Sequence, residues 1–222
     1  MTAKVHPNVA VRPLGQPVAA QPPAAAGEEP VTLTVWRKSL LFNCRGFTVF
    51  DSSGDLVYRV DTYASDSRAE VVLMDAAGRA VLTVRRRKVI GLGADQWLVY
   101  PGEETRRMPP LYAVKRAAPK YMRGGGGGKS MAHVAPCAAA AGGKRGSGGG
   151  GYEVEGSYMR RCCTVYDERR RAVAEVRPKE AVGSDVFRLV VQPGTEVAMA
   201  MAVVLALDQM FGKPSLLRSW SS

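Results

Sequence analysis

The stretch Arg123–Ser130, RGGGGGKS, ends in Gly128-Lys129-Ser130, the three residues that close a phosphate-cradling loop. Such a loop follows the pattern G-x-x-x-x-G-K-[ST], with a buried strand before it and a helix after it, so that backbone N–H groups converge on the phosphates. Counting back from Gly128, the first glycine belongs at the position that Arg123 occupies. The residues that follow, MAHVAPCAAAAGGKRG, soon meet Pro136 and runs of glycine, a poor basis for a long helix. From 124 to 151 the chain is mostly Gly, Ala and Ser, the composition of a flexible tether. The motif is therefore read as a chance match inside a disordered insertion, and no nucleotide site is expected at Gly128, Lys129 and Ser130.

Other catalytic chemistry starts badly. The chain has two histidines, His6 and His133, and both fall in segments read as disordered. Without an ordered imidazole, the usual nucleophile triads and His-containing metal sites are not expected. Asp51, Asp55, Asp75 and Asp167 have turn roles that account for them. DSSGD is not a calcium loop, because its glycine comes fourth and not sixth. Cys44, Cys137, Cys162 and Cys163 contain no CxxC pair. With no secretory leader apparent, free thiols in a reducing intracellular compartment, cytoplasmic or nuclear, are the simplest reading. No catalytic residue, metal or cofactor is assigned.

The elements that would position any site fall into a regular order. Three segments, Phe47–Val60, Val71–Val84 and Cys163–Val176, each show an apolar run, an Asp, a short polar turn and a second apolar run. Their alternation of β-branched and aromatic residues predicts β-hairpins, with Gly54 and Gly78 taking positive φ in the turns. VTLTVW (Val31–Trp36), QWLVY (Gln96–Tyr100), PLYAV (Pro110–Val114), YEVEGSYM (Tyr152–Met159) and VFRLVV (Val186–Val191) are further strand candidates. About a dozen antiparallel strands favour a closed barrel over an open sandwich with exposed edges.

The end of the chain differs. GTEVAMAMAVVLALDQMFGK (Gly194–Lys213) is apolar at every position from Val197 to Leu207, with Thr195 and Gly212 placed to cap it. A helix over 195–211 without a polar face is either buried on all sides or spans a membrane. A span needs about 20 such residues, so burial inside the barrel is favoured and no transmembrane span is expected. The expected organisation is a Pro/Ala-rich arm over 1–30, one domain over 31–213, and a short tail over 214–222.

LTVWRKSLLFNCRGFTVFDSSGDLVYRVDTY (Leu33–Tyr63), VLMDAAGRAVLTVRRRK (Val72–Lys88) and WLVYPGE (Trp97–Glu103) resemble the plant LURP-one-related family in order and spacing. The resemblance covers Val31–Tyr112 well, and Tyr152–Phe211 by pattern and by the closing helix. It implies a mainly β, tubby-like antiparallel barrel enclosing the C-terminal helix. It also implies kinship with phospholipid scramblases and with tubby-like regulators that are tethered to membranes by phosphoinositides. One member at least is associated with plant defence. The family offers no catalytic residue to carry over.

A net charge of +11 biases the chain toward acidic partners. Arg85, Arg87 and Lys88 at the end of one strand, Arg106 and Arg107, Arg160, and Arg169 are the candidates for a lipid head-group site. Gathered at one rim they would form a patch for anionic phospholipid or phosphoinositide; spread by strand alternation they would be a solvated face. Arg85, Arg86 and Arg87 cannot all face one way on a strand. Two readings stay open: a non-catalytic, peripherally membrane-tethered module, or a scaffold for an unidentified protein or for nucleic acid. Aromatic residues are 7% of the chain and sit mostly in strands, which disfavours nucleic acid.

Overall fold

A computed structural model describes residues 29–41, 44–62, 70–88, 96–103, 108–117, 130–137, 150–179 and 183–212. Among these residues, twelve strands form one closed barrel: β1 (Val31–Trp36), β2 (Arg45–Phe50), β3 (Leu56–Thr62), β4 (Glu70–Asp75), β5 (Ala80–Arg87), β6 (Gln96–Pro101), β7 (Tyr112–Arg116), β8 (Ser130–Pro136), β9 (Tyr152–Ser157), β10 (Cys162–Tyr166), β11 (Ala172–Pro178) and β12 (Val186–Val191). Each strand pairs antiparallel with its neighbour in sequence, and β12 returns to β1 with Val31 opposite Val191 and Trp36 opposite Val186. Closure leaves no strand edge unpaired.

Period-two alternation decides which residues enter the lumen. Leu33 and Val35 of β1, Val114 of β7, Val154 of β9 and Leu189 and Val191 of β12 are almost wholly buried, while intervening residues face outward. The three expected hairpins share one turn. Asp51 Oδ1 accepts from the backbone N–H of Ser53 and Asp55, both at 2.9 Å. Asp75 Oδ1 accepts from Arg79 N at 2.9 Å, and Asp167 Oδ1 from Arg169 N and Arg171 N at 2.9 and 2.8 Å. The fourth residue of each turn takes a left-handed backbone: Gly54 at φ 88°, Gly78 at φ 83°, and Arg170 at φ 61°. Arg170 bears that conformation while its two Nη atoms each donate at 2.9 Å, to Glu153 and Glu155 of β9.

The helix α1 spans Val197–Phe211, and its residues from Ala198 to Leu207 are all buried. Alternating Ala and Met let it lie close to the surrounding strands, where unbranched Met fills irregular space. Its caps differ from expectation. Thr195 donates its backbone N–H to Gln192 in a turn, Glu196 takes the N-cap position without a side-chain bond, and Gly212 ends the helix at φ −62° and not left-handed. No described helix is long and apolar enough to cross a membrane.

One expectation needs correction. The insertion read as a tether over 124–151 contains β8, which pairs with β7 through Val114 opposite Val134 and with β9 through Ala132 opposite Val154. Ala132 and Val134 are buried in the core. Ser130 therefore opens a strand, where a phosphate-binding loop requires a helix. Positions 118–129 and 138–149, the arm up to residue 28 and the tail from residue 213 lie outside the described residues.

Met201 is fully buried and Leu205 is 1% exposed, so each is a direct reporter of whether the helix is the barrel's core. Met201→Asp leaves an unpaired charge in the lumen at a cost of several kcal/mol and is expected to abolish folding. Leu205→Ala is expected to fold with stability lowered by about 2–5 kcal/mol, read from urea unfolding. A stably folded Met201→Asp variant would place the helix outside the barrel.

Candidate functional site

Because consecutive strands alternate in direction, the barrel has two chemically distinct ends. The three Asp turns and the start of α1 share one, the turn end. The finish of β1, β5 and β7 and the last turn of α1 share the other, the exit end. An ionic tie fixes the helix there. Arg37, just past β1, places Nε 2.9 Å from Asp208 Oδ1 in the last turns of α1, and Tyr158 Oη donates to the same oxygen at 3.1 Å. Tyr158 is 1% exposed, and burial, reinforced by the Asp208 charge, holds its phenol well above the ordinary tyrosine range.

Beside it, the 3₁₀ turn Tyr158–Arg160 ends at Arg161, whose backbone is left-handed at φ 54°. The Arg161 guanidinium lies between the rings of Tyr158 and Phe187, 4.3 and 4.5 Å from their centroids, and its Nε donates to Ser184 O at 2.9 Å. The residues after β1 are pinned as well. Thr48 Oγ1 donates to Lys38 O at 2.7 Å, Ser39 Oγ donates to Asp61 Oδ1, and Leu41 N donates to Ser39 Oγ at 3.0 Å. This anchoring leaves Leu40 and Leu41 pointing to solvent at 54% and 40% exposure, and Met159 at 41%. Lys38, Arg45 and Arg160 are exposed at the same end of the barrel.

The sequence candidates divide between the ends. Arg85, Arg87 and Lys88 lie at the exit end of β5, with Arg85 held on the outer face 3.4 Å from Glu70. Arg160 sits on the 3₁₀ turn at the same end, across the mouth from β5. Arg169 belongs to a hairpin turn at the opposite end, so it shares no site with them. Arg106 and Arg107 fall outside the described residues. Two cations that sequence reasoning did not nominate occupy the inner face of the exit mouth. Arg86 pairs in register with the core residue Trp97, and Arg116 with the core residue Ala132. Strand parity was the signal: Arg86 lies two residues beyond buried Val84, and Arg116 two beyond buried Val114.

The other titratable groups are arranged for structure. His133, expected in a disordered segment, is instead on β8 opposite Glu153 and Lys115, with Nδ1 3.6 Å from Glu153 Oε1. Its strand partners carry no hydroxyl or thiol nucleophile. Among the described residues no group of three or more His, Cys, Asp or Glu is placed to hold a metal ion. At the turn end, backbone N–H donation from Arg79 and Arg171 holds the Asp75 and Asp167 carboxyls below the usual range. The four cysteines are free; Cys162 is exposed, and burial pushes the Cys163 thiol up to about 12.

This thiol sets a pH dependence. Above its ordinary value of 9.0 the unfolded chain loses the Cys163 proton and the folded chain keeps it. Stability is therefore fully present below that pH and falls as pH rises toward about 12. Urea midpoints measured at mildly and strongly alkaline pH should fall less for Cys163→Ala than for the parent chain. Thiol reagents should label Cys162 and leave Cys163 silent until unfolding.

Comparison with known proteins agrees with this architecture. The LURP-one-related family profile matches residues 31–208. Protein LURP-one-related 8 of Arabidopsis thaliana is 41% identical over 216 residues, covering 94% of this chain and 97% of that one. Protein LURP-one-related 17 of the same plant is 39% identical over 187 residues, covering 81% and 83%. An X-ray structure of an Arabidopsis thaliana protein superposes with a TM-score of 0.56 at 24% identity, over 82% of this chain and 91% of that one, a likeness of fold. With a twelve-strand barrel closed on a buried C-terminal helix and these matches along nearly its whole length, the chain belongs to the LURP-one-related family.

Proposed function

We propose that this protein is a non-catalytic module that docks peripherally on anionic phospholipid membranes through the exit end of its barrel. The observation that carries this reading is the combination found there: Leu40, Leu41 and Met159 exposed within a set of exposed cations, Lys38, Arg45, Arg87, Lys88 and Arg160. Exposed apolar side chains rimmed by basic ones suit a bilayer interface. The apolar groups enter the headgroup boundary, and each basic residue near an anionic surface adds about 1 kcal/mol. The turn end lacks this character, because Arg79, Arg170 and Arg171 are engaged by Asp75, by Glu153 and Glu155, and by Asp167.

Co-sedimentation with phosphatidylcholine, phosphatidylserine and phosphoinositide vesicles at two salt concentrations tests the reading. Binding to anionic vesicles is expected to persist in part at the higher salt. Paired Leu40→Asp and Leu41→Asp substitutions should weaken it on the order of tenfold, from lost apolar burial. Arg169→Gln at the turn end should leave it unchanged. Weak binding to every anionic vesicle that vanishes with salt and ignores Leu40 and Leu41 would reduce the effect to the net charge and sink the proposal. Retention of nucleic acid with no vesicle binding would point to a different partner.

A further inference from the structure

The segment between β1 and β2 inverts the usual partition of side chains. Ser39 is 4% exposed, while its neighbours Leu40 and Leu41 face solvent. A buried hydroxyl beside two exposed leucines reverses what apolar burial alone would select.

The reversal has a visible cause. The Ser39 hydroxyl donates to Asp61 Oδ1 of β3, whose side chain is itself 5% exposed and has Oδ2 3.4 Å from Arg59 Nε. With its proton committed to a carboxylate, the Ser39 oxygen has its lone pairs free for a donor, and the Leu41 N–H supplies one at 3.0 Å. Further bonds secure both flanks. Arg37 N donates to Asp185 O at 2.7 Å, the wholly buried Thr48 hydroxyl donates to Lys38 O at 2.7 Å, and Cys44 N donates to Leu41 O at 3.3 Å. Asp185 precedes β12 and Thr48 lies on β2, so the segment is braced from the strands on either side of β1.

We propose that Ser39 is a positioning residue that holds Leu40 and Leu41 outward as a preformed apolar wedge for the interface of an anionic bilayer. This role rests on the docking reading above and deepens it, because it assigns insertion to the β1–β2 segment in particular. An unbraced segment would turn its leucines toward protein, and docking would first have to reorder it. A wedge already in its bound geometry avoids that ordering cost. The chemistry around it suits the same partner. Exposed Lys38 and Arg45 flank the leucines in sequence, and the Lys38 ammonium lies 5.1 Å from the ring centroid of Trp36, which holds that cation beside the wedge.

A structural bond elsewhere provides the comparison that separates positioning from stability. The Thr83 hydroxyl is also wholly buried, and it donates to Gly102 O at 2.6 Å at the turn end, away from the leucines.

The test uses the full chain and vesicles of phosphatidylcholine mixed with phosphatidylserine. Ser39→Ala should weaken vesicle affinity about fivefold to tenfold, and Thr48→Val should weaken it in the same direction. In the free protein, the Leu41 amide of Ser39→Ala should exchange its hydrogen about tenfold faster, from the loss of its acceptor. Thr83→Val should lower the urea midpoint comparably and change vesicle affinity less than twofold. Parent-like vesicle binding by Ser39→Ala and Thr48→Val, with the paired Leu40→Asp and Leu41→Asp chain impaired, overturns the positioning role and leaves the docking reading standing. Equal loss of binding in Ser39→Ala and Thr83→Val traces the effect to stability and also overturns it, as does a Leu41 amide whose exchange is unchanged. A parent chain that ignores these vesicles at low salt sinks the docking reading, and this role with it.

Discussion

The whole fold depends on removing one helix from water. From Ala198 to Leu207 every residue of α1 is buried, and no stripe of the helix is polar. An amphipathic helix is satisfied by one packing surface; this one needs apolar neighbours in every direction. A closed barrel supplies them, and closure in turn requires every strand. β8 shows the constraint most clearly, because without it β7 and β9 would present open edges beside Val114 and Val154. Sheet closure and helix burial are thus a single requirement seen from two sides. The strands have no alternative lumen filling on the order of ten apolar side chains, and the helix has no alternative container.

An apolar helix in an apolar lumen has little to fix its depth or rotation. Asp208 provides that. It is the first charged residue after the buried run, and it meets Arg37 from just past β1 and Tyr158 from the turn before β10. Buried or half-buried pairs of this kind contribute modestly to net stability, since desolvation offsets much of the attraction. Their geometry is specific, however, and a helix shifted by one residue would lose both partners at once. The same contacts hold the loops of the exit end in place. Arg37 also bonds Asp185, and Arg161 bonds Ser184, so the β11–β12 connection is tied to the helix terminus.

Much of this was legible in the sequence because it follows from short-range rules. The Asp turns were visible since an Asp followed three residues later by glycine is a local device; the third turn was readable from Asp167 although Arg170 stands where glycine would. The helix was visible because eleven apolar residues in a row have few interpretations. β8 was not legible. Its inward residues are Ala132 and Val134, and glycine on both sides makes its composition resemble a linker. Only the demand of barrel closure, a long-range constraint, selects it as a strand, and with it His133 moves from a disordered tether to an ordered outer face. The candidate site was half legible. A run of arginines announces charge, but the run itself does not say which arginine faces the lumen. Strand parity with Val84 and Val114 picks Arg86 and Arg116, and the run RRRK draws attention to their neighbours instead.

The two ends of the barrel handle their charged groups differently. At the turn end two cations are born beside their partners: Arg79 lies four residues from Asp75, and Arg171 four from Asp167, so the hairpin that places each of them also neutralises it. Arg170 is engaged across strands, by Glu153 and Glu155 of β9. At the exit end, Asp208 and Asp61 instead anchor the helix and the β1–β2 segment across longer distances in sequence. Leu40, Leu41 and Met159 are exposed at that same end. Exposed apolar side chains and exposed cations at one end of a closed barrel are the features on which the proposed docking rests.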